Sequence, residues 1–530
     1  MSDGAGDGAG DGAGDGTGDG AGGGAAFEPR DERARRIAKV DALRAAGTDP
    51  YPVRFDRTHT AAEMHEQWDG IEDGSETTHE VRVAGRLLLK RSQGKLTFGT
   101  LRDGTGTIQL FVSRAEVGDS VHGAFDDLDL GDWIGVSGTV MKTRKGELSV
   151  KLRDFVLLAK ALRPLPEKWH GLTDVDTRFR QRYVDLIAND DARRVFAIRF
   201  DVVATIRRLL VEQGFVEVET PVLHEQAGGA AAKPFETYHN ALDTPLVLRI
   251  ALELHLKRLL VGGMERVFEI GRVFRNEGLS TRHNTEFTML EAYQAFADYT
   301  DMMTLTETLV TECARVCIGG TTVEVDGTTI DLSAPWPRRP MLDLIEEHSG
   351  QRVHPTMPVE ELERVLDGLD VDHKPGWDSG QLILELYEKL VEPKITAPVF
   401  VCDYPRSVSP LARVHREDPA LVERFEAVVF GRELANAFSE LNDPIDQLGR
   451  FEDQAKLAAA GDEEAHGVDA DYVRALEYGL PPCGGLGIGI DRLVMLIAGV
   501  TTIREVILFP HLRPEAGHDE PTEVEGGDNS

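Results

Sequence analysis

The stretch at residues 266–299, RVFEIGRVFRNEGLSTRHNTEFTMLEAYQAFADY, decides the fold. Residues 267–274 alternate in the manner of a strand and run into a charged cluster at Arg275, Asn276 and Glu277. A Gly-Leu-Ser-Thr turn follows, with Arg282 and His283 near its far end. Residues 287–293 then return as a second strand. Strand side chains repeat every second residue, so Phe287, Met289, Glu291 and Tyr293 share one face. A carboxylate among apolar neighbours on a sheet face is costly unless a cation meets it. Arginines flank both strand ends, so the pattern predicts more than a hairpin with a solvated tip.

Two other blocks lie at a distance. GFVEVETPVL (214–223) alternates as a strand and ends after Pro221. GLGIGIDRLVMLIAG (485–499) places glycines at every second position and then becomes helical. Small residues on one strand face let a flat ligand lie against the backbone. Its spacing is neither that of a dinucleotide-binding turn nor that of a phosphate loop. Asp491 is placed to cap the helix, and Arg492 to stack on a purine. Within ERFEAVVFGRELANAFSELND (423–443), Asn436, Phe438 and Glu440 share a face, and Glu426 and Glu433 lie across a Phe-Gly turn. Two such carboxylates suit a hard divalent cation beside phosphates.

FRNEG followed by RHNTEF closely resembles motif 2 of the class II aminoacyl-tRNA synthetases, in its lysyl-tRNA synthetase version of bacterial type. The 214–223 and 485–492 blocks resemble motifs 1 and 3, and the likeness covers roughly residues 30 to 513. The resemblance implies ATP-dependent ligation of L-lysine to tRNA(Lys) through lysyl-adenylate, in a homodimer joined by the 199–223 helix and strand. It implies that Arg275 and Arg492 are catalytic. ATP would meet Arg275, Glu277, Arg282, His283, Phe287, Glu426 and Arg492, with Phe287 and Arg492 sandwiching the adenine. Glu426 and Glu433 would hold Mg2+. Lysine would meet Gly229, Ala251, Glu253, Arg275, Glu291, Tyr293, Asn436, Phe438 and Glu440. Three positions depart from the family pattern: Thr285 and Leu252 stand where proline is usual, and His255 where tyrosine is usual. An aspartate- or asparagine-specific sister would need cations where this chain has Glu253 and Glu440. A regulator without catalysis would not need the full set of arginines and glutamates. A lipid lysyltransferase would want membrane helices.

At 530 residues the chain has room for two or three domains. It carries 58 Lys plus Arg against 91 Asp plus Glu, a net charge of −33, so any RNA contact must use local basic patches. Residues 1–26 repeat Asp-Gly-Ala-Gly and read as a disordered tail; 514–530 read as an acidic one. Residues 27–72 give a basic helix and linker, with Ile37, Val40 and Leu43 on its stripe; one reading rests it on RNA phosphates.

Residues 73–160 contain five short strands with Gly-rich turns, the pattern of an OB barrel. Between 81 and 160 there are 13 basic and 9 acidic residues, a local excess inside an acidic chain. Phe98 and Phe111 offer stacking faces. The resemblance implies that Phe98, Gln109 and Glu147 read the anticodon. A Pro-rich hinge (161–178) leads to the α+β catalytic domain at 179–513, a mainly antiparallel sheet flanked by helices, in which 300–395 shows no chemistry. The four cysteines form no CxxC pair, no run is apolar enough for a membrane, and the N-terminus lacks signal character. The expected setting is the cytoplasm.

Overall fold

A computed structural model describes residues 29–166, 172, 174–459 and 467–513. Both expected tails and six residues of the hinge lie outside these residues. The chain divides into two compact units, meeting between residues 170 and 171.

The first unit is the OB barrel. Strands Glu76–Gln93, Leu96–Arg102, Thr107–Ser113, Trp133–Lys142 and Leu148–Ala159 close in the order one, two, three, five, four. Alternation sends Leu87, Leu101, Leu110, Val112, Val136 and Val150 into its core. Each such aliphatic side chain contributes about 1.5–3 kcal/mol by leaving water. A helix, Arg114–Asp126, which the sequence reading passed over, plugs the barrel with the buried Phe125.

The basic helix Pro29–Ala45 does form. Three of its cations meet the barrel's own groups, while Arg33 and Arg44 are exposed. Arg35 and Lys39 bond Asp129, and the buried Arg36 donates to the Leu130 and Ala161 carbonyls. Lys160, also buried, holds Asp129 at 2.5 Å and Asp132 at 2.6 Å. Burial alone would raise the Asp129 carboxyl, but Lys160, Lys39 and Arg35 hold it well below the usual range.

The second unit is built on an eight-stranded sheet. In spatial order its strands are Arg338–Pro340, Val399–Pro405, Leu421–Val428, Glu433–Ser439, Cys483–Gly489, Glu286–Ala295, Arg266–Phe274 and Val216–Glu217. All neighbours are antiparallel except the two outermost pairs. Leu290, Ala292, Ala435, Ala437, Leu486 and Ile488 face the core, against helices Asp190–Glu212, Tyr299–Ile318 and Ile490–Ala498. The opposite face of those strands is left for the site.

Two expectations need correction. The sequence reads as one long helix opening with RFRQRYVDLI (178–187) and running to Gly214, but it forms three: Val175–Arg180, Arg182–Ala188 and Asp190–Glu212, the last N-capped by the Asn189 side chain. The alternating run at 214–223 contributes only the two-residue strand Val216–Glu217 to the large sheet. Pro221 and the separate pairing of Leu223–His224 with Thr244–Leu248 draw the chain away.

The Lys160 cluster tests the barrel. Lys160→Met leaves the buried Asp132 without its cation and Asp129 with only Arg35 and Lys39, and should cost about 3–5 kcal/mol in urea unfolding of the full chain. A change below about 1 kcal/mol would show that the barrel does not depend on this pair.

Candidate functional site

The register of the sheet arranges the site in rows. Tyr293 pairs with Gly485, Gly485 with Phe438, and Phe438 with Arg424. One step along, Glu291 pairs with Gly487, Gly487 with Asn436, and Asn436 with Glu426. Four strands thus present two adjacent rows of side chains to the same side, beneath a cavity of about 1200 Å³. Gly485 cannot be anything larger, because a Cβ there would overlap the Tyr293 ring and the Glu440 carboxylate. At Gly487 and Gly489 the nearest atom to a Cβ is 3.6 Å or more away, so packing does not require glycine there. That open backbone fits a flat ligand.

The cavity wall includes Gly229, Ala251, Glu253, Arg275, Glu277, Arg282, His283, Phe287, Glu291, Tyr293, Glu426, Glu433, Asn436, Phe438 and Arg492. The Gly/Ala loop near Gly229 closes one side. Glu440 is the exception. It is fully buried, with a carboxylate oxygen against Gly485, and forms an ion pair with Lys257, whose ammonium also holds Glu253. The expectation that Glu440 faces the cavity directly is therefore corrected: an internal ammonium stands on it.

Glu291 is met differently from the expectation as well. It lies opposite Glu269 in the hairpin register, a like-charge pairing that destabilises unless one partner is neutralised. Arg249 takes Glu269, at 2.7 Å. Glu291 instead accepts from the Leu252 backbone N–H and the Tyr293 hydroxyl, both at 2.9 Å. Burial, with Glu253 nearby, pushes its carboxyl up to about 7. The Leu252 N–H is one that a proline could not supply.

Arg275 enters from the end of strand Arg266–Phe274. Its amide donates to the Thr285 carbonyl and its guanidinium lies 5.2 Å from the Phe287 ring centroid. Phe287 is thus covered by Arg275, and Arg492 donates to Glu433 at 3.0 Å. The adenine sandwich of Phe287 and Arg492 is not assembled in this state. Asp491 does not cap its helix; it accepts from the Thr288 N–H and Arg199, clamping helix to strand. Arg282 and His283 sit exposed on the turn, with the His283 ring against Ser280.

Glu426 is pushed up to about 7 by burial and by Glu433 beside it. Arg424 donates to it at 2.7 Å and to Asn436 at 3.1 Å. A carboxylate raised by a neighbouring one in this way suits a divalent cation, which favours its ionised form. No cluster of three metal-ligating side chains exists among the described residues.

The sequence reading missed three contributors. Lys257 stands four residues after Glu253 on helix Glu253–Val261, the spacing of a helical ion pair. Arg424 stands two before Glu426, on the same strand face. Residues 300–395 are not mere scaffold: Lys374, Trp377, Gln381 and Glu388 line the cavity, with Lys374 above the Trp377 ring. That last wall joins a loop, Lys374 to Trp377, to one face of helix Ser379–Leu390, where Gln381, Leu384, Glu385 and Glu388 recur at the helical period.

In the barrel, Phe98 and Phe111 pair across strands, edge to face at 5.5 Å, on the outward side. Gln109 shares that side and accepts from Ser149, while Glu147 is exposed just before the fifth strand.

Leu252→Pro tests the Glu291 geometry. Loss of the N–H should cost about 1–3 kcal/mol of stability in urea at pH 8, where Glu291 is mostly ionised. At pH 6 the loss should be smaller, since the protonated acid depends less on that donor. Equal losses at both pH values would mean that the bond does not hold the ionised form.

Residues 174–513 match the family described as tRNA synthetases class II (D, K and N), and residues 81–158 match the OB-fold nucleic acid binding domain. The lysine–tRNA ligase of Moorella thermoacetica is 52% identical over 92% of this chain and 98% of its own. That of Enterococcus faecalis is 52% identical over 91% and 97%. That of a Nostoc species is 52% identical over 92% and 88%. With the 266–299 and 485–492 blocks lining one cavity and the barrel in place, the chain belongs to the class II tRNA synthetases of the D, K and N group.

Proposed function

We propose that this chain ligates L-lysine to tRNA(Lys), with ATP as the energy source and lysyl-adenylate as the intermediate. The observation that carries the lysine reading is the anionic end of the cavity. Glu253 and Glu291 line it, Glu440 backs it, and Tyr293 and Phe438 supply apolar walls for a four-carbon stem. A compact ammonium that gives up its hydration needs such fixed acceptors.

In the first step a lysine carboxylate oxygen attacks the α-phosphorus of ATP, and the bond to the pyrophosphate oxygen breaks. In the second, a hydroxyl of the terminal adenosine of tRNA attacks the lysyl carbonyl, and AMP leaves. Neither step needs a protein nucleophile, so rate comes from positioning and charge stabilisation. Arg275, catalytic in this reading, bridges lysine carboxylate and α-phosphate, near Gly229 and Ala251. Phe287 and Arg492 close on the adenine once Arg275 and Glu433 release them, with Glu277 at its amino edge. Arg282 and His283 guide the pyrophosphate. Asn436 fixes the amino acid from the second row. Glu426 and Glu433 would hold Mg2+, which neutralises phosphate charge when bound.

Phe98 would stack on an anticodon base while Gln109 and Glu147 pair with base edges. A homodimer through helix Asp190–Glu212 and the 216–223 segment would cover Val211, Val216, Val222 and Leu223, which are exposed here. No helix among the described residues is long and apolar enough to cross a membrane. The reading places the enzyme in the cytoplasm, without a membrane partner.

ATP–pyrophosphate exchange across the twenty amino acids should respond to lysine alone, and tRNA(Lys) should then be charged. Exchange with another amino acid would overturn the substrate assignment. Phe98→Ala should weaken charging by about 1–3 kcal/mol while leaving exchange intact; an equal fall in both would remove the barrel from RNA reading. Light scattering at micromolar concentration should give the mass of two chains, and a monomer in active protein would refute the dimer.

A further inference from the structure

Lys257 has no exposed side-chain surface. Its ammonium sits between Glu253 and Glu440, with the Phe438 and Tyr293 ring centroids 5.5 and 6.0 Å away. Apart from this ion pair, neither Glu440 oxygen has a hydrogen-bond partner, and one abuts Gly485 on the cavity wall. A buried carboxylate with unused acceptor capacity at the end of a cavity invites a second cation.

The charges can be counted. Three carboxylates, Glu253, Glu291 and Glu440, converge on the end of the site. Glu291 is already met by the Leu252 N–H and the Tyr293 hydroxyl. Glu253 and Glu440 then remain to face Lys257 and one incoming ammonium. Removing Lys257 would leave the anions mutually repelling in a dry site, where one of them must take up a proton instead.

We propose that Lys257 is a positioning residue that supplies the fixed positive charge of the amino-acid pocket, so that one substrate ammonium, and only one, completes its balance. The inference rests on the lysine reading above and deepens it. It explains why a buried lysine is placed in a pocket for lysine. Without it the carboxylates would hold protons, and with a second fixed cation they would have no charge left for the substrate.

The groups facing Lys257 come from four other elements as well as its own helix. Glu253 is one helical turn away. Glu291 and Tyr293 come from strand Glu286–Ala295, and Glu440 follows strand Glu433–Ser439. Tyr472 comes from helix Ala470–Glu477 and Cys483 from strand Cys483–Gly489. Burial pushes Glu440 up and Lys257 opposes that, so loss of Lys257 moves its titration further upward. Lysine affinity in the variant should then be lost as pH falls through a higher value than in wild type.

The test compares wild type, Lys257→Met and the double variant Lys257→Met with Glu253→Gln, by ATP–pyrophosphate exchange at pH 6 to 9. Wild type without lysine-dependent exchange would sink the substrate reading itself, separately from this inference. Given that exchange, Lys257→Met should raise KM for lysine by about tenfold or more, while KM for ATP stays within about twofold. Its KM for lysine should fall steeply as pH rises, by about another tenfold between pH 7 and 8.5. Because the single variant can lose its fold, the double variant removes one charge of each sign. It should melt higher than the single variant and bind lysine better. A folded Lys257→Met with an unchanged KM and a superimposable pH profile would overturn the proposal. So would a double variant no better than the single one in both melting and KM.

Discussion

Everything in the catalytic unit depends on the two-residue period of its central strands. Along Glu286–Ala295, Leu290 and Ala292 are sealed in the core, while Met289, Glu291 and Tyr293, one residue off, line the cavity. A slip of one residue would put a carboxylate into the hydrocarbon core and the leucine into the site. The Arg249–Glu269 pair guards the register, since Glu269 and Glu291 stand opposite each other and only one receives a guanidinium. The unequal treatment of two facing carboxylates leaves the second protonatable near neutrality.

The parts of this arrangement that obey a local period were legible in the sequence. The hairpin, the glycine ladder of strand Cys483–Gly489 and the strand carrying Asn436 and Phe438 all repeat every two residues. Their side chains meet in two rows because antiparallel pairing carries each face across to its neighbour. The barrel strands were legible for the same reason. Where a turn-forming proline or a cap interrupts, as at Pro221 and Asn189, the pattern overran the real element.

What was not legible depends on contacts distant in sequence. Glu440 continues the alternation of its strand, which suggested a cavity-facing acid. In three dimensions its carboxylate sits against Gly485, and Lys257 is packed onto it from a helix distant in sequence. Leu252, where the family pattern has proline, supplies an N–H that is spent on Glu291. The wall at Lys374 and Trp377 has no local signature at all.

Arg424 has a mechanical consequence. One planar guanidinium holds Asn436 through Nε and Glu426 through Nη2, while its face rests 4.4 Å from the Tyr404 ring centroid. Such a group turns as a rigid plate. Its Nη1 is itself held by the Val408 carbonyl and the Ser409 hydroxyl. In the reading proposed above, the two ends of the second row, one toward the amino acid and one toward the phosphates, are therefore held by one anchored plate, so a single side chain sets the spacing between the two small substrates.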